Sequence, residues 1–380
     1  MYFDVYGRFD VAPVRGLDCE VFDADGRRYL DLYGGHGVIS LGHAHPAWVE
    51  AIREQAGRLA FYSNAVRLPQ QDAYATRLAE LSGYGGYRTF LVNSGAEANE
   101  NALKLASFET GRRRYVAFRG GWHGRTAGAL GVTDDAKLFA PVNEGLVDCT
   151  WLALGDGDAL RAALAGGDVA AVIVEGVQGV GGLDAPDATF LRDLREACDA
   201  TGTWLILDEI QSGFARTGRF FAHQHVDADG TDPVRADVVT MAKGMGNGFP
   251  VGGLLIRGDV APRRGSLGST FGGSPLAVAA ADAVLAGLAD GRLQANAAAV
   301  GAYAAERLAG VPGVERVKGR GLMLGVRMQA PVAELRRRLL HEHGIFTGGS
   351  NDAHLLRILP PLTCTTAHVD ELVAGLRAAS

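Results

Sequence analysis

Short apolar runs rich in β-branched residues alternate with longer stretches of helical period up to about residue 275. Thr89–Val92, Tyr115–Phe118, Val169–Val174, Trp204–Leu207, Val238–Met241 and Gly253–Ile256 read as strands. Ala98–Phe108 and Phe190–Ala200 carry apolar residues at helical spacing. Strands that are apolar on both faces and separated by helices predict an α/β fold, with a mainly parallel central sheet and helices on both faces. Beyond residue 275 the pattern changes. Leu276 to Leu308 reads as Ala-rich helix broken near Gly287–Gly291. A strand pattern over Val314–Met328 follows, then a helix over Pro331–His343, two short strands and a last helix over Thr366–Ala378. This predicts a smaller α+β domain completed by the N-terminal segment. The expected division is 1–50 as that segment, 51–275 as the large α/β domain and 276–380 as the small domain.

Composition narrows the function. A chain of 380 residues that is 47% hydrophobic can bury a large core with a second lobe attached. The net charge of -6, with no basic stripe, gives no support for nucleic-acid binding. No apolar stretch approaches the roughly 20 residues that span a bilayer, so no membrane association is expected. The start, Met1-Tyr2-Phe3-Asp4, lacks the basic and apolar regions of a secretory signal. Cys19, Cys149, Cys198 and Cys364 form no C-x-x-C pair and read as reduced thiols of a cytoplasmic protein. His43-x-His45 and His341-x-His343 lack an evident third ligand and read as loop and helix surface, so no metal is expected.

In a parallel α/β sheet, ligands bind beyond the carboxyl ends of the strands. Polar clusters fall at four such ends: Asn93-Ser94-Gly95, Glu175, Asp208-Glu209 and Lys243. Ser94, Gly95 and Ala96 open a helix after a strand, where free N–H groups and the helix dipole suit a phosphate; an ordinary N-cap is the plainer alternative. Asp208 ends an apolar strand, and a buried carboxylate needs a partner, either a protonated pyridine nitrogen or a structural salt bridge. Lys243 sits in the apolar, Gly-rich turn Met241-Ala242-Lys243-Gly244-Met245-Gly246. A desolvated lysine suits Schiff-base chemistry, whereas a surface lysine would need none of this setting. The other lysines, Lys104, Lys137 and Lys318, have polar surroundings. Trp122 offers a ring for stacking, Arg125 a bidentate clamp, and Arg357 a charge inside the apolar run Leu355–Pro361 that needs an anionic partner.

Together, Asn93-Ser94-Gly95-Ala96-Glu97-Ala98-Asn99, Trp122-His123-Gly124-Arg125-Thr126, Glu175-Gly176-Val177-Gln178-Gly179, Leu207-Asp208-Glu209-Ile210-Gln211-Ser212-Gly213, Ala242-Lys243-Gly244 and Ser269-Thr270-Phe271-Gly272-Gly273 resemble the class III, fold type I, pyridoxal-phosphate (PLP) aminotransferases. The resemblance spans nearly the whole chain and is strongest to the branch acting on acetylornithine and N-succinylornithine. Asp31–His36 and Arg357–Leu362 look most like the N-succinylornithine variant.

The resemblance implies roles. Lys243 would hold PLP as a Schiff base and move the proton, with Asp208 on the pyridinium nitrogen and Gln211 on the ring hydroxyl. Trp122 and Ile210 would sandwich the ring. Ser94, Gly95, Ala96 and Glu175 would line the cofactor, Gly95 and Ala96 through backbone N–H to the phosphate. Thr270 would reach the phosphate of a partner subunit in a homodimer. Arg125 and Ser269 would hold the acylornithine and Arg357 the glutamate α-carboxylate. Two positions depart from the pattern. Trp122 replaces a usual phenylalanine, and Val180 stands where many relatives have an acid that pairs with the carboxylate-binding arginine. The implied reaction moves the δ-amino group of an N-acylornithine to 2-oxoglutarate in arginine biosynthesis. Other ω-aminotransferases, a PLP racemase or aminomutase, and a non-enzymatic PLP-binding domain remain as alternatives.

Overall fold

The structure, a computed structural model, describes residues 3–229 and 233–379. Residues 1, 2 and 380, the outer ends of the expected first and last segments, lie outside the described residues, as do 230–232. Three sheets organise the described chain. Near the N-terminus Pro13–Leu17 (β1), Glu20–Asp23 (β2) and Arg28–Asp31 (β3) pair antiparallel in succession. Arg88–Val92 (β4), Arg114–Phe118 (β5), Asp148–Leu152 (β6), Val169–Glu175 (β7), Trp204–Asp208 (β8), Val238–Met241 (β9) and Gly252–Ile256 (β10) build the central sheet in the order β4-β10-β9-β8-β7-β5-β6. Val314–Arg320 (β11) and Met323–Met328 (β12) form a hairpin. Ile345–Phe346 (β13) adds to β3 in parallel, and Leu355–Ile358 (β14) pairs antiparallel with β12.

The central sheet is parallel except at β10, which runs against both β4 and β9. The carboxyl ends of the other six strands therefore open on one edge. β7 and β8 are buried along their whole length. Alternating side chains explain why both read as unbroken apolar runs. Val172 and Val174 of β7 join Phe190, Leu191 and Leu194 of the helix Ala188–Thr201 in one cluster. Ala171 and Ile173 join Ala98, Ala102 and Leu103 of the helix Gly95–Thr110 in another. The alanines let that second helix lie close to the strands, and Gly111, left-handed at φ 69°, ends it.

Most expected elements are found within a few residues of their predicted limits. The Ala-rich stretch is two helices, Pro275–Leu288 and Arg292–Ala309, and Gly291 turns between them at φ 73°. Three features differ. The segment predicted as one strand pattern is the β11–β12 hairpin, turned at Gly321–Leu322. The strands β1–β3 and β6 and the helices Pro46–Arg58, Pro69–Ser82 and Gly157–Leu164 have no counterpart among the elements read from the sequence. His43, expected on a loop surface, instead binds Asp31 Oδ2 through Nε2 at 2.8 Å.

Two buried side chains join the separate segments. Arg216, fully buried, donates to the carbonyls of Leu322 (3.2 Å), Pro360 and Ile39 (3.4 Å). Burial lowers its pKa to about 10. Asn247, left-handed at φ 47°, accepts the N–H groups of Ser40 and Leu41 at 2.8 Å each and donates to Gly42 O at 3.2 Å. Ser40 Oγ in turn donates to Gly244 O at 2.8 Å. The turn after β9 is thereby fastened to residues 40–42. No helix among the described residues is long and apolar enough to cross a membrane.

Replacing Asn247 by alanine strands two buried N–H groups and leaves a Cβ residue in the left-handed region. The expected loss of stability is on the order of 3 kcal/mol, read from denaturant midpoints. A loss under about 1 kcal/mol would mean that water or local repacking replaces these bonds.

Candidate active site

A cavity of about 910 Å³ opens where the strand ends converge. Ser94, Gly95 and Ala96 follow β4, Glu175 and Asp208 end β7 and β8, and Lys243 follows β9, so four separate clusters meet around one space. Trp122, Arg125, Val180, Ile210, Gln211 and Arg357 complete much of its wall.

Asp208 is 3% exposed and bound on both oxygens. Oδ2 accepts from Asn99 Nδ2 at 2.8 Å and meets His123 Nδ1 at 2.8 Å, while Oδ1 accepts from Ile210 N at 3.0 Å. Asn99 is itself fixed, donating to His123 O at 2.7 Å and accepting from Thr240 Oγ1 at 2.7 Å. A buried carboxylate so held by neutral donors and an imidazole is oriented with one face to the cavity. Asn99, His123 and Thr240 had no assigned role from the sequence. A polar residue on the buried, Ala-rich side of the helix Gly95–Thr110 is the signal that marks Asn99.

Glu175 spans two loops: Oε1 accepts from Trp122 N and Oε2 from Gly179 N, both at 2.8 Å. Burial, with a smaller contribution from the Asp208 charge, raises its pKa to about 7, against the pull of His123 and the two N–H groups. Lys243 reaches the cavity from a left-handed backbone, φ 46°. Such a conformation costs a residue with a Cβ roughly 1–2 kcal/mol and persists only where the surroundings impose it. Burial lowers the Lys243 pKa, although Asp208 and Glu175 oppose the shift. Its Nζ has no protein partner among the described residues, in contrast to Lys318, which donates to Asp184 Oδ2 at 2.8 Å.

The helix Gly95–Thr110 begins at the cavity with unused donors. Ser94 Oγ caps Glu97 N at 3.2 Å, while the N–H groups of Gly95 and Ala96 have no partner among the described residues. A Cβ at Gly95 would lie 2.9 Å from Ile210, so only glycine lets Ile210 pack against the helix start. Gln211 Nε2 donates to His36 O at 2.9 Å, and its buried Oε1 has no partner. Arg125 is exposed at the cavity and unpaired among the described residues, whereas Arg357 is 4% exposed. The anion expected beside Arg357 is absent from its hydrogen-bonding neighbours: it donates to Gly349 O, Gly179 O (2.8 Å) and Tyr33 Oη (2.9 Å). Ser269 and Thr270 do not line this cavity. Ser269 Oγ accepts from Asn93 Nδ2 at 2.9 Å just behind it, and Thr270 is exposed.

An unpartnered lysine, a buried carboxylate opposite, a helix start with free N–H groups and two arginines define a site for amine chemistry on an anionic substrate. The comparisons agree. Residues 4–379 match the family model of the class-III aminotransferases, and the chain belongs to that family. It is 41% identical to acetylornithine aminotransferase 1 of Bordetella bronchiseptica over 97% of this chain and 95% of that protein. The crystal structure of N-acetylornithine aminotransferase from Stenotrophomonas maltophilia superposes with a TM-score of 0.81 at 34% identity, covering 98% of this chain and 96% of that one. The ornithine aminotransferase of Toxoplasma gondii superposes with a TM-score of 0.91 at 29% identity, covering 100% and 92%.

The raised Glu175 pKa predicts a pH dependence for the cofactor-free protein. Between about 4.5 and about 7 the folded state keeps a proton that the unfolded chain has released. Glu175 therefore favours folding most below that window, and the contribution is lost as pH rises through it. Thermal melts across this range should show a decline that Glu175→Gln flattens; parallel curves for the two proteins would rule the contribution out.

Proposed function

We propose that this protein is a PLP-dependent N-acylornithine aminotransferase, transferring the δ-amino group to 2-oxoglutarate in arginine biosynthesis. The observation that carries the reading is the unpartnered Lys243 amine facing Asp208 and Glu175 in a cavity that also presents Arg125 and Arg357. Relatives divide between acetylornithine and ornithine aminotransferases. TM-score follows overall shape, so the higher identity to the acetylornithine enzymes weighs more for substrate.

PLP fits the polar atoms left unused. The N–H groups of Gly95 and Ala96, with Ser94 beside them, would take its phosphate. Asp208 would hold a protonated ring nitrogen, Gln211 would meet the ring hydroxyl, and Trp122 and Ile210 would flank the ring. Glu175 would fix the Trp122 loop. Bound there, PLP supplies an electron sink for the carbon that carries the amine. Lys243 Nζ would carry the cofactor covalently and, once released, would take a proton from the donor's Cδ and return it, a role that the burial-lowered pKa of its amine favours. Arg125, with Ser269, would hold the acylornithine by its α-carboxylate, and Arg357 would hold the α-carboxylate of glutamate. A cavity of about 910 Å³ suits a small-molecule substrate, and the four free cysteines suit the cytoplasm.

Two organisational readings accompany this one. The central sheet and its helices form the large domain, 51–275, while 1–50 and 276–380 make the small one; the β3–β13 pairing and Arg216 support that grouping. The working unit is a homodimer. Thr270 sits exposed beside Phe271, which is 60% exposed and packs its ring 5.1 Å from Phe61, and Tyr62 is also exposed. An apolar patch of this kind is buried by association.

The purified protein supplied with PLP should absorb near ~420 nm and shift toward ~330 nm with N-acetylornithine or N-succinylornithine, the faster naming the acyl group. Lys243→Ala should lose both the band and turnover. A protein with no such band, or one indifferent to every ω-amine, would sink the assignment. Sedimentation should give a dimer, and Thr270→Val should weaken PLP binding by about tenfold without dissociating it. A monomer that binds PLP normally would overturn the dimer reading.

A further inference from the structure

The neutral surroundings of Arg357 continue into a chain that ends in the cavity. A guanidinium only donates, so Tyr33 Oη must accept from Arg357 Nη2. The Tyr33 oxygen also meets His36 Nδ1 at 2.5 Å. Among the described residues, the Tyr33 hydroxyl proton has no other acceptor, so it is donated to Nδ1. Nδ1 is then the bare nitrogen of a neutral imidazole, and the ring proton sits on Nε2. The direction of two hydrogen bonds fixes the tautomer.

Three further observations bear on His36. Its ring lines the cavity, and Nε2 has no protein partner among the described residues. Its backbone is left-handed, φ 71°, between Gly35 (φ 56°) and Gly37 (φ 73°), in a run where glycine is the unstrained choice. The side chain is exposed to the open cavity, yet desolvation by the cavity wall and then the positive charges of Arg357, Lys243, Arg125 and Arg336 lower its pKa to about 4. The ring is thus uncharged at neutral pH, although it stands among four cations that would welcome an anion.

We propose that His36 is a substrate-positioning residue, which holds the Tyr33 hydroxyl on Arg357 and offers its Nε2–H to a dicarboxylate bound between Arg357 and Arg125. This deepens the aminotransferase reading, on which the identity of that dicarboxylate as 2-oxoglutarate rests. Arg357 supplies charge, and His36 supplies a neutral donor whose place is set through Tyr33. A carboxylate arriving there displaces no anion from Arg357.

The test is calorimetric titration of glutarate, a dicarboxylate with no keto group to react, into the PLP-loaded protein and its variants. His36→Gly removes the ring at a position whose backbone suits glycine, and His36→Asn keeps left-handed tolerance and an acceptor for Tyr33. Glutarate should bind His36→Gly about tenfold more weakly than wild type, with melting temperature kept, and His36→Asn should recover part of the loss. Tyr33→Phe should cost a similar factor, and the double variant no more than about either single, because the two residues act as one chain. The KM for 2-oxoglutarate should rise by about tenfold while kcat changes less than about threefold. The ratio of wild-type to His36→Gly affinity should stay level from about pH 6 to 8, whereas a protonated imidazole would lose its advantage as pH rises through its ordinary pKa.

Failure of the wild type to bind glutarate overturns the proposal. So does glutarate binding within twofold in His36→Gly, or a His36→Gly variant that melts early with unchanged affinity. Intact transamination with no His36 effect removes this inference alone. A clear His36 effect on glutarate in a protein that ignores acylornithines removes the substrate reading and leaves this one standing.

Discussion

A charge kept from water governs this architecture. Asp208 sits at the end of a fully buried strand, and an ionised carboxylate there is costly unless each lone pair is met. Its neighbours come from three directions: Asn99 from the helix Gly95–Thr110, His123 from the loop after β5, and Ile210 N from its own turn. Thr240 on β9 orients Asn99. The sheet order that puts β9, β8 and β7 side by side is what brings these groups within reach. The parallel arrangement is thus a requirement of the site as much as of the core. The chain meets the carboxylate with oriented neutral donors and one imidazole, which leaves one face of the carboxylate turned to the cavity.

What the sequence discloses follows what it must say locally. The strands of the central sheet are legible because both faces are buried, so Val169–Val174 and Trp204–Leu207 cannot be anything polar. β6 is not, because as an edge strand Asp148–Leu152 mixes partly exposed polar and apolar residues. The helix Pro46–Arg58 has no buried residue to mark it as part of the core. Lys243, Asp208, Glu175 and Arg357 are visible as charges inside apolar surroundings, and the structure gathers all four at one cavity. Tyr33 and His36 are not, because their meaning lies in contacts with residues far along the chain. Tyr33 touches Arg357, 324 positions away, and no local pattern encodes that pairing.

Arg357 is held without an acid. It gives its hydrogen bonds to two glycine carbonyls and a tyrosine hydroxyl. Neutral acceptors satisfy its N–H groups without cancelling its charge, and burial lowers its pKa accordingly. A Cβ at Gly179 would lie 1.8 Å from Gln211 Oε1, so a larger residue there would push the Gln211 amide aside. The same glycine donates its N–H to Glu175, so one small residue ties the cavity's acid to its deepest arginine.

The pairing of β13 with β3 has a consequence for how the molecule is made. Ile345 lies opposite Leu30, and Phe346 opposite Asp31. The ribosome must deliver residue 346 before the first sheet can close. Until then the segment carrying Tyr33 and His36 has no neighbour on that side, while the central strands are already free to assemble. Contacts so distant in sequence form late, because closing long loops costs entropy before any bond is gained. The wall of the cavity is therefore among the last parts of the nascent protein to be finished, and a chain halted shortly before β13 would hold its lysine and carboxylate behind an open door.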